Sequence, residues 1–162
     1  MNKAEDRLNN AFNLTEKKKY SEALDIVNSV ISENPEWFKG YHEKAKIYAR
    51  QKQWNDAVEA VDEAIRLNKT EPMLYFSRSR WLIQNQLFYE AVDDLTHLIE
   101  LEKKLDDTYY LESAYFFRAL ASSYLGNYED VLADCEKVRD DYSMYILNKP
   151  HSKVDLVLLA TR

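Results

Sequence analysis

The residues most able to do chemistry are few in this chain of 162 residues, and their spacing argues against catalysis. Three histidines, His42, His97 and His151, lie far apart, and none has a second histidine or a carboxylate at a spacing that would assemble a metal site. His42 and Glu43 are neighbours, but successive helical residues diverge by about 100 degrees and cannot grip one ion together. The glycines, Gly40 and Gly126, stand alone, so no glycine-rich loop can cradle a phosphate. The single cysteine, Cys135, excludes an internal disulfide and a cysteine-based zinc cluster, and it reads as a small core hydrophobe. Nucleophile motifs around serine or cysteine are absent as well. No enzyme, no metal and no cofactor is therefore expected. The chemistry left to the chain is that of a binding surface made of cations and rings.

Placing those cations and rings requires the elements that carry them, and a repeat supplies the map. The stretch W-N-D-A-V-E-A-V-D-E-A-I-R-L, from Trp54 to Leu67, has relatives before and after it. Ala23, Ala57 and Ala91 occupy one slot at intervals of 34 residues, and Val131 follows after 40, six more than the period. Three residues before each anchor stands a ring: Tyr20, Trp54, Phe88 and Tyr128. Twelve before it the residue is small, Ala11, Ala45, Ser79 or Ala119, and four and seven after it come apolar pairs such as Val27 with Val30 and Leu95 with Leu98. The small residue lets a partner helix approach closely, and the ring fills the wedge where two helices diverge.

This order of small residue, ring and anchor over a period of 34 resembles the tetratricopeptide repeat family, whose unit is a pair of antiparallel helices. Copies three and four, Y-F-S-R-S-R-W-L-I-Q-N-Q-L-F-Y-E-A-V and Y-F-F-R-A-L-A-S-S-Y-L-G-N-Y-E-D-V, also carry the aromatic and the arginine that many members show before the small residue. The resemblance covers about Ala4 to Asp141. Arg7 stands where an aromatic is usual, and only the first repeat closes with the family's proline, Pro35; Lys69, Lys103 and Ser143 fill that slot elsewhere. The resemblance implies an all-α, right-handed superhelical solenoid of antiparallel helix pairs in one domain over residues 1–162. About four repeats, 4–36, 37–70, 71–105 and 108–142, would be followed by a capping tail at 143–162.

Composition agrees with a helical reading. A hydrophobic content of 46% suits a buried core, and only 2 Gly and 3 Pro leave few breakers for tight turns between strands. A net charge of −6, from 22 basic and 28 acidic residues, argues against nonspecific binding to nucleic-acid phosphates or anionic membranes. No window reaches the ~20 apolar residues that span a bilayer, and the start, M-N-K-A-E-D-R-L-N-N, lacks the apolar run of a secretory signal. With one cysteine, a cytoplasmic location is expected.

The pattern predicts a first helix from about Lys3 to Lys18, then a second capped by Ser21 and stopped at Asn34 and Pro35. Repeat two starts at Trp37 and Phe38, turns at Gln51 to Gln53 and re-enters helix at Trp54 until near Asn68. Repeat three takes about Glu71 to Gln84 and Tyr89 to Lys104. In L-E-K-K-L-D-D-T-Y-Y-L-E, Asp106 or Asp107 would cap a helix from near Thr108 to Leu125, with Gly126 and Asn127 making a left-handed turn. Beyond Asp141 the pattern breaks at Pro150, and S-K-V-D forms a capping box ahead of Leu156 to Ala160. Two readings of this tail stand side by side: a helix that covers the last repeat, or a strand that pairs with a partner.

In such a solenoid the concave side is lined by the first helix of each repeat. Counting from the anchors, the inward, unburied slots are Glu5, Leu8, Asn9 and Phe12, then Lys39, His42, Glu43, Lys46 and Arg50. Repeat three gives Met73, Phe76, Ser77, Arg80 and Gln84, and repeat four gives Ser113, Phe116, Phe117, Leu120 and Tyr124. Lys39, Lys46, Arg50 and Arg80 make a basic middle beside an apolar, aromatic end. That arrangement suits an extended or helical peptide with a carboxylate near an aromatic or aliphatic side chain. The family's clamp for terminal carboxylates of chaperone peptides is not carried: its slots hold Leu8, Phe12, Glu43, Met73 and Ser77, or, one repeat on, His42, Lys46, Ser77, Ser113 and Phe117. The expected function is a protein-binding module, adaptor or chaperone-like, that holds a protein or peptide segment. The other reading is an immunity-type or inhibitor protein that covers a whole folded partner, such as a basic bacterial toxin.

Overall fold

Helices come in pairs: α1 (Lys3–Glu16) with α2 (Tyr20–Glu33), and α3 (Phe38–Arg50) with α4 (Trp54–Leu67). After them come α5 (Pro72–Gln84), α6 (Phe88–Leu105), α7 (Leu111–Leu125) and α8 (Tyr128–Cys135). A tail of β1 (Ser143–Ile146), β2 (Lys149–Ser152) and α9 (Lys153–Ala160) follows. These elements come from a computed structural model that describes residues 3–162, and the chain divides into two units, residues 1–74 and 75–162.

The four rings that precede the anchors, Tyr20, Trp54, Phe88 and Tyr128, are each the first residue of a second helix. The turn before each ring is built the same way. Five residues before the anchor the backbone is left-handed, with φ of 60° at Lys18, 61° at Lys52, 62° at Gln86 and 77° at Gly126. The next amide reaches back five residues to the end of the preceding helix, as Lys19 N–H does to Leu14 at 2.9 Å, Gln53 to Tyr48 at 3.0 Å, Leu87 to Leu82 at 2.9 Å and Asn127 to Ser122 at 3.0 Å. This closure uses carbonyls that a helix end leaves unpaired. The expected Ser21 cap is corrected: α2 begins at Tyr20, and its cap residue Lys19 makes no side-chain capping bond. Backbone closure of the turn replaces the side-chain cap.

In the first unit α1 packs on α2 and α3, α2 on α3, and α3 on α4. Ala4, Leu8, Ala11, Ala23, Val27, Val30 and Ile47 form a buried cluster, edged by Leu14, Tyr20, Ile31 and Trp37. Packing is close enough at Gly40 that an added Cβ would lie 2.9 Å from Ile31 Cγ1.

In the second unit α7 packs on α6, α8 and α9, and α9 packs on α8 and β2. Of the six inserted residues, four lengthen α6, which has 18 residues against 14 in α2 and α4. Asp106 closes it in the left-handed region, φ 55°. The expected start of α7 near Thr108 is therefore corrected to Leu111. Asp107 accepts from Tyr109 N–H at 3.0 Å instead of capping the helix, and buried Glu102 accepts the Tyr110 N–H at 3.0 Å on both oxygens. Burial pushes the Glu102 carboxyl up, against the pull of that N–H.

The fourth pair is cut short, since α8 ends at Cys135, and the tail departs from pure helix. Strands β1 and β2 pair antiparallel with Ser143 opposite Ser152 and Ile146 opposite Lys149, so the strands pair with each other. The capping box does open α9: Ser152 Oγ accepts from Asp155 N–H at 3.1 Å, and Asp155 accepts from Ser152 N–H at 3.2 Å.

Candidate functional site

Lys39, His42, Glu43, Lys46 and Arg50 share one side of α3 through their three- and four-residue spacing. Three of them meet residues of α1 in the same slot of the preceding repeat, 34 positions back. Lys39 Nζ pairs with Glu5 at 3.1 Å, Arg50 with Glu16 at 2.8 Å, and Lys46 Nζ lies 5.3 Å from the Phe12 ring centroid. Lys46 also pairs with Glu43 at 2.6 Å. The basic middle expected from the sequence is thus corrected, because every one of its three cations on α3 is matched by a carboxylate. His42 and Glu43 are also corrected: both are buried, not presented. Burial, with Lys46 adding to it, lowers His42 to about 4, so the ring is neutral at ordinary pH. Glu43 Oε1 is buried and accepts no hydrogen bond. Leu8 is buried as well, whereas Phe12 is 41% exposed and Met73 is half-buried in the first turn of α5.

Arg80 behaves differently from the cations of α3. Its guanidinium lies 5.6 Å from the ring centroid of Phe76 and 5.7 Å from that of Phe117, and among the described residues no carboxylate pairs with it. Arg80 is exposed and Phe76 half-buried. Phe76 also packs against Tyr110 at 4.7 Å and Phe117 at 5.8 Å between ring centroids. The result is a charged group held beside two rings, on an exposed residue.

The aromatic end expected at repeat four is mostly interior. Phe116, Phe117 and Leu120 are buried, a correction to their reading as unburied slots. Different neighbours cover them: the Tyr142 ring lies 5.0 Å from Phe116, with its hydroxyl 2.7 Å from Ser113 Oγ, while Phe117 lies against Phe76, Phe116 and Arg80. Tyr124 stays exposed and stacks on Phe88 at 4.5 Å with the rings 4° from parallel.

Two arginines that the repeat pattern singled out do structural work. Arg78 on α5 makes a two-pronged bond to Asp94 on α6, its Nε at 2.7 Å, and Arg118 on α7 repeats it with Asp134 on α8 at 2.9 and 2.7 Å. Both carboxylates are buried, where only a paired and fully bonded charge is tolerable. Among the described residues no group of three metal-ligating side chains occurs, and no helix is long and apolar enough to cross a membrane.

Sequence reasoning missed the tail as a source of site residues. It placed Glu5 in the groove without its pairing to Lys39, and it did not single out Glu16, although opposite charges 34 residues apart were there to be read.

No family model matches the chain. Among curated proteins it is 30% identical over 110 residues to serine/threonine-protein phosphatase 5 of Homo sapiens, covering 68% of this chain and 19% of that protein. It is 25% identical over 122 residues to the NatA auxiliary subunit N-alpha-acetyltransferase 16 of Mus musculus, covering 74% of this chain and 14% of that one. The chain thus spans less than a fifth of the length of these relatives. Among solved structures it resembles the TPR domain of Arabidopsis OM64, at 29% identity and TM-score 0.55, covering 61% of this chain and 77% of that one. It also resembles the TPR2B domain of yeast Sti1 in a complex with pHsp70, at 16% identity and TM-score 0.69, covering 75% and 97%. A third likeness is to MamA, at 19% identity and TM-score 0.72, covering 83% and 70%. The last two likenesses carry the fold alone.

Proposed function

The chain belongs to the tetratricopeptide repeat family, and from that premise we propose that it is a non-enzymatic module that binds a segment of another protein. Arg80 supports this reading most directly: a guanidinium beside Phe76 and Phe117 that no carboxylate among the described residues pairs with. A planar cation beside aromatic rings reads a carboxylate by two parallel hydrogen bonds, and the half-buried Phe76 ring offers contact to an adjoining apolar side chain. The ligand is accordingly a peptide segment with an acidic residue next to an aromatic or aliphatic one. The Sti1 TPR2B structure, solved with pHsp70, lends the general mode, but the clamp residues are not matched here and the contacts differ. A net charge of −6 disfavours nucleic acid and anionic membranes as partners, and a lone buried thiol suits a cytoplasmic setting.

Selection of a random-peptide phage library on the intact protein tests this. Enriched sequences should carry an acid beside an aromatic or aliphatic residue, and Arg80→Ala should lose at least about tenfold in affinity for them. Arg50→Ala should lose little, because Glu16 already neutralises that cation. Enrichment that survives Arg80→Ala would reject the site. Binding of a whole folded basic protein that is lost only on changing exposed Glu59 and Asp62 of α4 would favour the immunity-type reading instead.

A further inference from the structure

A cavity of about 310 Å³ lies in the second unit, between the end of α7, strand β2 and α9. Leu120, Leu156 and Leu159 give it an apolar wall, while Lys149, His151, Asp155 and Arg162 reach it with polar groups. His151 is the telling residue. It is only 7% exposed, and its Nε2 is buried without a hydrogen-bond partner. The ring also hydrogen-bonds the backbone of Ile146. A neutral imidazole whose N–H is engaged in that way presents its remaining nitrogen as an acceptor. Nε2 itself has almost no accessible surface, so what the cavity meets is a neutral, fixed ring.

The charges around that ring are of both signs. Among the described residues neither Lys149 nor Arg162 is held in an ion pair. Asp155 spends one oxygen, Oδ2, on the Ser152 hydroxyl at 2.6 Å and on the Ser152 N–H at 3.2 Å, and its Oδ1 accepts no bond within that capping box. One small space therefore holds two cations, one carboxylate oxygen, a neutral ring and an aliphatic wall.

We propose that this cavity binds a free apolar α-amino acid. The carboxylate of the ligand meets Lys149 and Arg162, its ammonium donates to Asp155 Oδ1 beside the neutral His151 ring, and its side chain packs on Leu120, Leu156 and Leu159. Size agrees, because the cavity is at the small end of the range of about 300–1,000 Å³ found for ligand pockets. The Asp155 carboxylate favours an ammonium over the single N–H of a peptide's last residue, which separates this ligand from a peptide terminus. The site uses none of Phe76, Arg80 or Phe117, so it stands or falls apart from the peptide reading.

Titration of the intact chain with L-leucine, followed by NMR, tests the proposal. His151 ring signals should shift on addition, leucinamide and N-acetyl-leucine should each bind at least about tenfold more weakly, and Lys149→Ala should weaken leucine by a similar factor with an unchanged melting midpoint. Asp155→Asn, which keeps an acceptor for Ser152, should reduce leucine binding and leave N-acetyl-leucine unaffected. Absence of any shift at millimolar leucine overturns the proposal. Equal binding of leucine and N-acetyl-leucine overturns the ammonium assignment and with it the free amino acid, and this ligand series decides even if a variant fails to fold.

Discussion

Like charges and opposite charges 34 residues apart have different fates when equivalent slots of successive repeats stand side by side. Glu5 with Lys39 and Glu16 with Arg50 are opposite, so they cancel across α1 and α3. Exposed pairs of this kind contribute only about 0–1 kcal/mol to folding, and their larger effect is to remove a positive field that would attract an acidic partner. His42, one turn along, is a stability determinant. Its folded value of about 4 lies below the ordinary 6.5, so the unfolded chain takes up the proton first as pH falls. Stability linked to this ring is complete above pH 6.5 and declines towards pH 4, by roughly 2 kcal/mol between pH 6.5 and 5. Urea unfolding at pH 7 and pH 5 should show His42→Gln with a smaller drop than the parent chain, and parallel curves would reject the assignment. Burial of His151 shifts that ring in the same direction. The slot positions of these residues were legible in the sequence, but burial was not: a slot map gives direction on a helix and says nothing about what lies above it.

At the scale of elements, four turns share one backbone shape and only one of them uses glycine. Lys18, Lys52 and Gln86 hold a left-handed φ that side chains disfavour, whereas Gly126 holds it freely. Lys52→Gly should therefore stabilise the protein by roughly 0.5–1 kcal/mol, and Gly126→Ala should destabilise it by about the same or more. Thermal melts of the two variants check this, and a destabilised Lys52→Gly would show that its side chain contributes contacts worth more than the strain. The helix pairs and the Gly126 turn were legible from period and ring spacing. The Ser21 cap and the early start at Thr108 were misread for one reason: local capping residues were weighed, while backbone closure and the buried Glu102 decided the ends. The β1–β2 pairing follows from a two-residue turn at Leu147 and Asn148, both at positive φ, in a segment where Pro150 obscured any alternation.

For the whole molecule, the repeat was the most legible feature because each anchor is an interior contact, and Ala23, Ala57, Ala91 and Val131 are all fully buried. Ala57→Leu should overpack α4 against α3 and cost about 1–3 kcal/mol. Hydrogen exchange should quicken in those two helices, and an unchanged melting midpoint would show that the slot accommodates the added volume. The tail was the least legible part because it has no second copy to compare with. Its cover over Phe116 and its share of the leucine-lined cavity are each set by a single, unrepeated packing arrangement.

Burial of the chain's one thiol has a consequence in time. Cys135 is 2% exposed, and burial pushes its thiol up, with Lys153 opposing, so a disulfide reagent meets a thiolate only when the end of α8 parts from its neighbours. The half-time of its labelling is then a clock for that parting, readable without any added probe. In excess reagent the native chain should label many times more slowly than the same chain in urea, and the rate should become independent of reagent once every opening is captured. Equal rates in the two conditions would mean that α8 opens as fast as it can be read. A slow clock would make residues 128–135 one of the last parts of the molecule to yield.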